Sequence, residues 1–182
     1  MKQEVTKEIE IPSQVNIEIN ESKVIVKGPR GSIERKLEYP TVTVKKQDNK
    51  ITIGCKKATK REKKVIGTFI AHIRNMIKGV IDGFEYKLQI CSVHFPINVK
   101  LDTSKHEIVI KNFLGEVSER RAKVLPGVDV KIVGNIITVS SINKESAGQT
   151  ALNIENATRI KNRDRRIFQD GIFIIEKCGK KI

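Results

Sequence analysis

Residues 11–33 read IPSQVNIEINESKVIVKGPRGSI, and residues 95–117 read FPINVKLDTSKHEIVIKNFLGEV. With Pro12 set on Pro96, an offset of 84, the two stretches share one plan. Val15 and Ile17 fall on Val99 and Leu101, and Val24, Val26 and Lys27 on Ile108, Ile110 and Lys111. Gly31 and Ile33 fall on Gly115 and Val117. Apolar and polar residues alternate in both, the period of strands in a sheet with one wet face. A duplicated plan decides the architecture before any single motif does.

Past small length changes the match resumes. Val42-Thr43-Val44 answers to Val128-Asp129-Val130, and Ile51-Thr52-Ile53 to Ile137-Thr138-Val139. The first copy offers strands at Val15/Ile17/Ile19, Val24/Val26, Val42/Val44 and Ile51/Ile53. Turns are expected at Asn20-Glu21, Gly28-Pro29-Arg30-Gly31 and Asp48-Asn49. The second copy offers Val99/Leu101, Ile108/Ile110, Val128/Val130/Ile132 and Ile137/Val139, opened by the alternation Phe84, Tyr86, Leu88, Ile90.

A helix follows in each copy. Val65, Ile66, Phe69, Ile70, Ile73, Met76, Ile77, Val80 and Ile81 recur at three- and four-residue steps, which makes one wide apolar stripe ending at Gly83. Ala147, Ala151, Ile154 and Thr158 keep the spacing with smaller residues, which predicts a closer approach of helix to sheet. The expected fold is α+β: two tandem homologous domains, residues 1–81 and 82–182, each an antiparallel sheet with one amphipathic helix packed on one face.

Composition points to a partner. Among 182 residues, 35 Lys and Arg stand against 21 Asp and Glu, a formal charge of +14. A compact chain this basic repels itself unless an anion neutralises it, and nucleic acid is the usual one. Cys55, Cys91 and Cys178 are odd in number and widely spaced, without C-x-x-C, so neither a disulfide framework nor a zinc site is expected. Met1 to Gln14 has no apolar signal core, and no apolar run approaches the ~20 residues of a membrane span. A soluble intracellular protein without a membrane partner is expected.

The sharpest cationic candidate closes the chain. From Arg159 to Ile182 come Arg159, Lys161, Arg163, Arg165, Arg166, Lys177, Lys180 and Lys181, opposed by Asp164, Asp170 and Glu176. With Asn162 among them, these residues are expected on an extended loop whose arginine forks meet phosphate oxygens, with Phe168 inserting to fix it. A solvated basic loop is the plainer reading. A second cluster, Lys56, Lys57, Lys60, Arg61, Lys63 and Lys64, precedes the first helix, where cations oppose the helix dipole. That placement invites an external anion, or marks an import signal, or is an exposed turn. Lys111, Asn112, Arg120, Arg121 and Lys123 gather at the hairpin of the second domain. Gly28-Pro29-Arg30-Gly31 reads first as a hairpin turn and second as a phosphate cradle.

Catalysis is not expected. His72, His94 and His106 lack metal-ligand spacing; His72 reads as packed on the helix flank and His106 as part of a strand. No nucleophile elbow, Walker loop or paired-carboxylate motif is present. Catalytic residues, metal ligands, cofactors and a small-molecule substrate are all expected to be none.

Four stretches carry a resemblance. Val24-Ile25-Val26-Lys27-Gly28-Pro29-Arg30-Gly31 looks like the first-hairpin motif of the universal large-subunit ribosomal protein six family. His94-Phe95-Pro96-Ile97-Asn98-Val99 is similar to the domain junction of its archaeal–eukaryotic branch. Asn112-Phe113-Leu114-Gly115 resembles the following hairpin. Lys161-Asn162-Arg163-Asp164 with Phe168-Gln169-Asp170-Gly171-Ile172 resembles its C-terminal signature. The resemblance spans about residues 7 to 178. It implies a non-catalytic, two-domain protein seated on large-subunit ribosomal RNA, near the sarcin–ricin loop and the translation-factor site. It also implies neighbouring ribosomal proteins, and residence in the cytoplasmic ribosome, with nucleolar assembly if the source is eukaryotic. The competing reading is a free basic adaptor for other nucleic acids or acidic proteins.

Overall fold

A computed structural model describes residues 3–20, 22–47 and 50–182. The chain divides into two compact units, residues 1–83 and 84–182.

In the first unit, β1 (Gln3–Glu10), β6 (Lys50–Ala58) and β5 (Thr43–Gln47) form one antiparallel sheet in the order β1-β6-β5. A second sheet holds β2 (Asn16–Asn20), β3 (Lys23–Gly28) and β4 (Gly31–Lys36). The helix α1 (Lys60–Ile81) touches strands of both sheets. Its stripe of Ile66, Phe69, Ile70, Ile73, Met76, Ile77 and Val80 is buried, as the spacing predicts, and meets Ile51, Ile53, Val24, Val26 and Ile17 in one core. Each fully buried Ile contributes about 1.5–3 kcal/mol relative to exposure. The helix ends in a left-handed Gly83 (φ 76°), whose N–H donates to the Gly79 carbonyl at 3.0 Å.

The second unit opens with β7 (Phe84–Cys91), whose residues alternate between buried and more open positions along its length. It is central in a five-stranded antiparallel sheet, β11-β12-β7-β13-β14. The other members are β11 (Asp129–Val133), β12 (Ile136–Ser141), β13 (Gly171–Lys177) and β14 (Lys180–Lys181). A three-stranded sheet holds β8 (Asn98–Asp102), β9 (Glu107–Lys111) and β10 (Arg120–Lys123). The helix α2 (Lys144–Ala157) buries Ala147, Thr150, Ala151 and Ile154. Its small residues do allow close approach: a Cβ on Gly148 would sit 3.1 Å from the Tyr86 hydroxyl.

The α+β class and the internal repeat hold, with strand, three-stranded hairpin set, hairpin and helix following in the same order in both units. Two expectations need correction. The single sheet foreseen per domain is two sheets, because the alternation of one strand does not say which neighbour it pairs with. The offset of 84 is also not uniform. Ile17 pairs with Val26, and Val99 pairs with Ile110, so the counterpart of Ile17 is Val99 and not Leu101. The turn between β8 and β9 is longer, and a slip of two residues leaves every side chain on its original face, so periodicity is blind to it. Ile33 faces Val26 while Arg120 faces Ile110, so Ile33 corresponds to Arg120, and Val117 stands fully exposed outside any strand. The equivalences of Val44 with Val130 and Ile53 with Val139 stand, since both pairs face each other across their ladders. The turns expected at Asn20-Glu21 and Asp48-Asn49 involve residues outside those described.

Candidate nucleic-acid interface

The segment after α2 is irregular from Arg159 to Asp170 and then enters β13. It is fixed at both ends. At the start, the buried Thr158 accepts the Ile172 N–H on Oγ1 (2.9 Å) and donates to the Glu155 carbonyl (3.1 Å). At the end, Asp170, 1% exposed, accepts three bonds: Val93 N–H (2.6 Å), His94 N–H (3.0 Å) and the His94 ring Nδ1 (2.5 Å). Burial by itself pushes the Asp170 carboxyl up, but the bonds from His94 and Val93 outweigh it and hold the group below its ordinary value.

Midway, Phe168 is half-buried, with the Arg163 guanidinium 4.8 Å from its ring centroid and the His94 ring 5.2 Å away. The expected insertion is only partial: the ring lies beside His94 and is not one of the side chains packed on the core of the second unit. The carboxylate of Asp164 receives the N–H and guanidinium of Arg166, which lower its pKa. Asn162 adopts the left-handed region at φ 57°. These local bonds leave Arg159, Lys161, Asn162, Arg163, Arg165 and Arg166 exposed. The result is a shaped backbone carrying solvated cations. Lys177, Lys180 and Lys181 are also exposed, but they belong to the β13–β14 hairpin, not to an extended loop. The run Ile172-Phe173-Ile174-Ile175 completes the sheet beside β7, which local charge counting does not show.

The hairpin residues of the second unit divide by role. Lys111 pairs with Glu119 at 2.5 Å, and Arg121 reaches Glu107 and Glu119 at 3.4 and 3.3 Å. Lys111 first, and Arg121 after it, lower the Glu119 pKa. Asn112, left-handed at φ 59°, donates from its side chain to the Pro96 carbonyl at 3.0 Å. Arg120 is turned inward. It grips Glu116 with two bonds (2.6 and 2.8 Å), donates to the Ala157 and Arg159 carbonyls (3.0 and 3.4 Å), and stacks on Phe113 at 4.3 Å. Its contact with Arg159 brings this hairpin and the C-terminal loop onto one region of the unit.

In the first unit, Lys56 and Lys57 lie in β6, while Lys60, Arg61, Lys63 and Lys64 lie in the opening turns of α1, not before it. All six are exposed. The helix end does not need an external anion. Thr59 caps it, taking the Arg61 N–H on Oγ1 (3.3 Å), and Glu62 accepts the Thr59 N–H (2.7 Å). The Thr59 hydroxyl also donates to Glu62, and these bonds lower the Glu62 pKa. The Thr-x-x-Glu spacing of this capping box is readable in the sequence, but the surrounding lysines mask it. The Gly28-Pro29-Arg30-Gly31 turn is likewise spoken for, since the Arg30 N–H donates to the Val80 carbonyl at 3.1 Å.

Among the described residues no cluster of three metal-ligating side chains forms, and no helix is long and apolar enough to cross a membrane. His106 sits in a turn at φ 50°, not in the strand expected for it. The pairing of His94 with Asp170 leaves no trace in local sequence.

Comparison with known proteins agrees with this plan. The sequence model of the family described as Ribosomal protein L6 matches twice, over residues 11–83 and 95–171. The large ribosomal subunit protein uL6 of the archaeon Methanococcus vannielii is 47% identical over 176 residues, which cover 97% of this chain and 96% of that protein. A duplicated α+β fold, matched once in each repeat and aligned nearly end to end with an archaeal relative, places the chain in the ribosomal protein L6 family.

Proposed function

We propose that the protein is a structural constituent of the large ribosomal subunit that binds ribosomal RNA, beside the sarcin–ricin loop and the translation-factor site. The observation that carries this reading is the loop from Arg159 to Arg166. Its backbone is held by Thr158 and Asp170, while its cationic side chains remain exposed. Guanidinium groups on a held backbone present planar forks to phosphates and release condensed counterions on meeting them. Lys111, Asn112 and Arg121 add contacts on the same unit. Lys60, Arg61, Lys63 and Lys64, together with Lys177, Lys180 and Lys181, add charge. Arg120 serves the fold. Neighbouring ribosomal proteins and passing translation factors are the expected protein partners, and the ribosome in the cytoplasm is the expected location, with nucleolar assembly in a eukaryotic source.

Two measurements test this. In a sucrose gradient of cell lysate the protein should travel with large subunits; a peak at the top would favour a free adaptor. Binding to a large-subunit RNA fragment should weaken on the order of a thousandfold between low and moderate salt if ~6 phosphates are contacted. A flat salt response would remove the phosphate contacts from the reading.

A further inference from the structure

Beneath the C-terminal loop lies a cavity of about 520 Å³, a size ordinary for small-ligand sites. Cys91 of β7 and Phe173 of β13 line it together with the end of α2. Ile160, Phe168 and Phe173 supply apolar walls, and the exposed Arg159 and Arg165 line it too. Two acidic residues line it, and they differ. Asp170 is taken up by Val93 and His94. Glu155 receives one long bond among the described residues, from the Ile174 N–H to Oε1 at 3.4 Å.

We propose that this cavity receives a single unpaired base of the bound RNA, with guanine preferred. The inference rests on the RNA-binding reading above and deepens it. Proteins read RNA chiefly at unstacked bases, held against aromatic rings or guanidinium planes and bonded along their edges. Here the apolar walls take the faces of the base, and Arg159 and Arg165 meet the flanking phosphates. Glu155 sets the choice of base. An ionised carboxylate accepts and never donates. Guanine presents two donors side by side on its Watson–Crick edge, N1–H and the N2 amino group. Adenine and cytosine pair one donor with a ring lone pair that the carboxylate repels, and uracil flanks its single N–H with two carbonyls.

The test uses the full chain and fluorescein-labelled RNA hairpins that differ at one bulged nucleotide, with affinity read by anisotropy at fixed moderate salt. The bulged-guanine hairpin should bind about tenfold tighter than bulged-cytosine or fully paired hairpins. Glu155→Gln should erase most of that preference, while any change in affinity from the lost negative charge should be shared by all the hairpins, the fully paired one included. Arg165→Ala should weaken all hairpins alike. Equal affinity for every bulge, or a guanine preference that survives Glu155→Gln, overturns the base pocket and leaves phosphate binding intact. Failure to bind any RNA at low salt overturns the RNA-binding reading itself. The comparison among hairpins on the unaltered protein decides the matter even if the variant fails to fold.

Discussion

Asp170 and His94 are 76 residues apart in the chain, yet Oδ2 of one lies 2.5 Å from Nδ1 of the other, with the carboxylate 1% exposed. The same carboxylate accepts the N–H groups of Val93 and His94, so a single side chain ties the strand-to-hairpin junction after β7 to the end of the basic loop. Removing it strands two amides and an imidazole. Asp170→Ala should destabilise the second unit by about 2–4 kcal/mol, read by urea denaturation with circular dichroism.

The same pair sets a pH dependence. The Asp170 carboxyl is lowered on folding. Its stabilisation is therefore complete above the unfolded value of ~3.9 and lost as pH falls through the lower folded value. The stability gap between wild type and Asp170→Asn should stay constant above about pH 4 and close below it. A gap that widens in acid would contradict the direction of the shift.

Arginines near the interface should separate into two kinds. Arg120→Ala breaks the grip on Glu116 and two carbonyl contacts, and should cost about 1–3 kcal/mol of stability. Replacing Arg163, Arg165 and Arg166 together by Ala should weaken RNA binding and leave the melting temperature nearly unchanged. A large drop in melting temperature for the triple variant would mean that these arginines serve the fold.

At the first helix, Thr59→Ala removes an N-cap and should cost about 1 kcal/mol. The Glu62 half of the box accepts more strongly when ionised. Its pKa is lowered, so its contribution should persist at neutral pH and fade as acid titrates it. Thermal melts of Glu62→Gln against wild type at two pH values check this.

Gly28→Ala probes the seat of the first hairpin. A Cβ there would lie 2.7 Å from Val80 Cγ2 and 2.8 Å from Val80 Cβ. The turn must then lift from the helix end that also accepts the Arg30 N–H. A loss of about 1–3 kcal/mol is expected from such overpacking, again by denaturant titration.

Much of the fold is legible in the amino-acid sequence. The stripe from Ile66 to Val80, the alternation from Phe84 to Ile90, the close approach around Ala147 and Ala151, and the equivalence of Val44 with Val130 all follow from local spacing. Solvent imposes that spacing on each element separately. The exposed arginines of residues 159–166 were also legible, since dense charge cannot be buried unpaired. Other features escaped for physical reasons. Gly31–Lys36 and Gln3–Glu10 alternate too few large apolar residues to register as strands. The repeat register near Ile17 hid behind a two-residue slip that preserves every face.

Amino-acid order alone determined the class of elements, the duplication and the charge, because these depend on periods and residue types within a few turns of chain. The tertiary structure decided which cations remain available. Arg120 and Arg165 are alike in sequence, but one is folded against Glu116 and the other is left exposed. Only the folded chain also brings Asp170 to His94 and, among the described residues, leaves the Glu155 carboxylate with one long bond. Those outcomes depend on partners many residues distant, and no local pattern encodes a contact whose two halves are brought together by the fold.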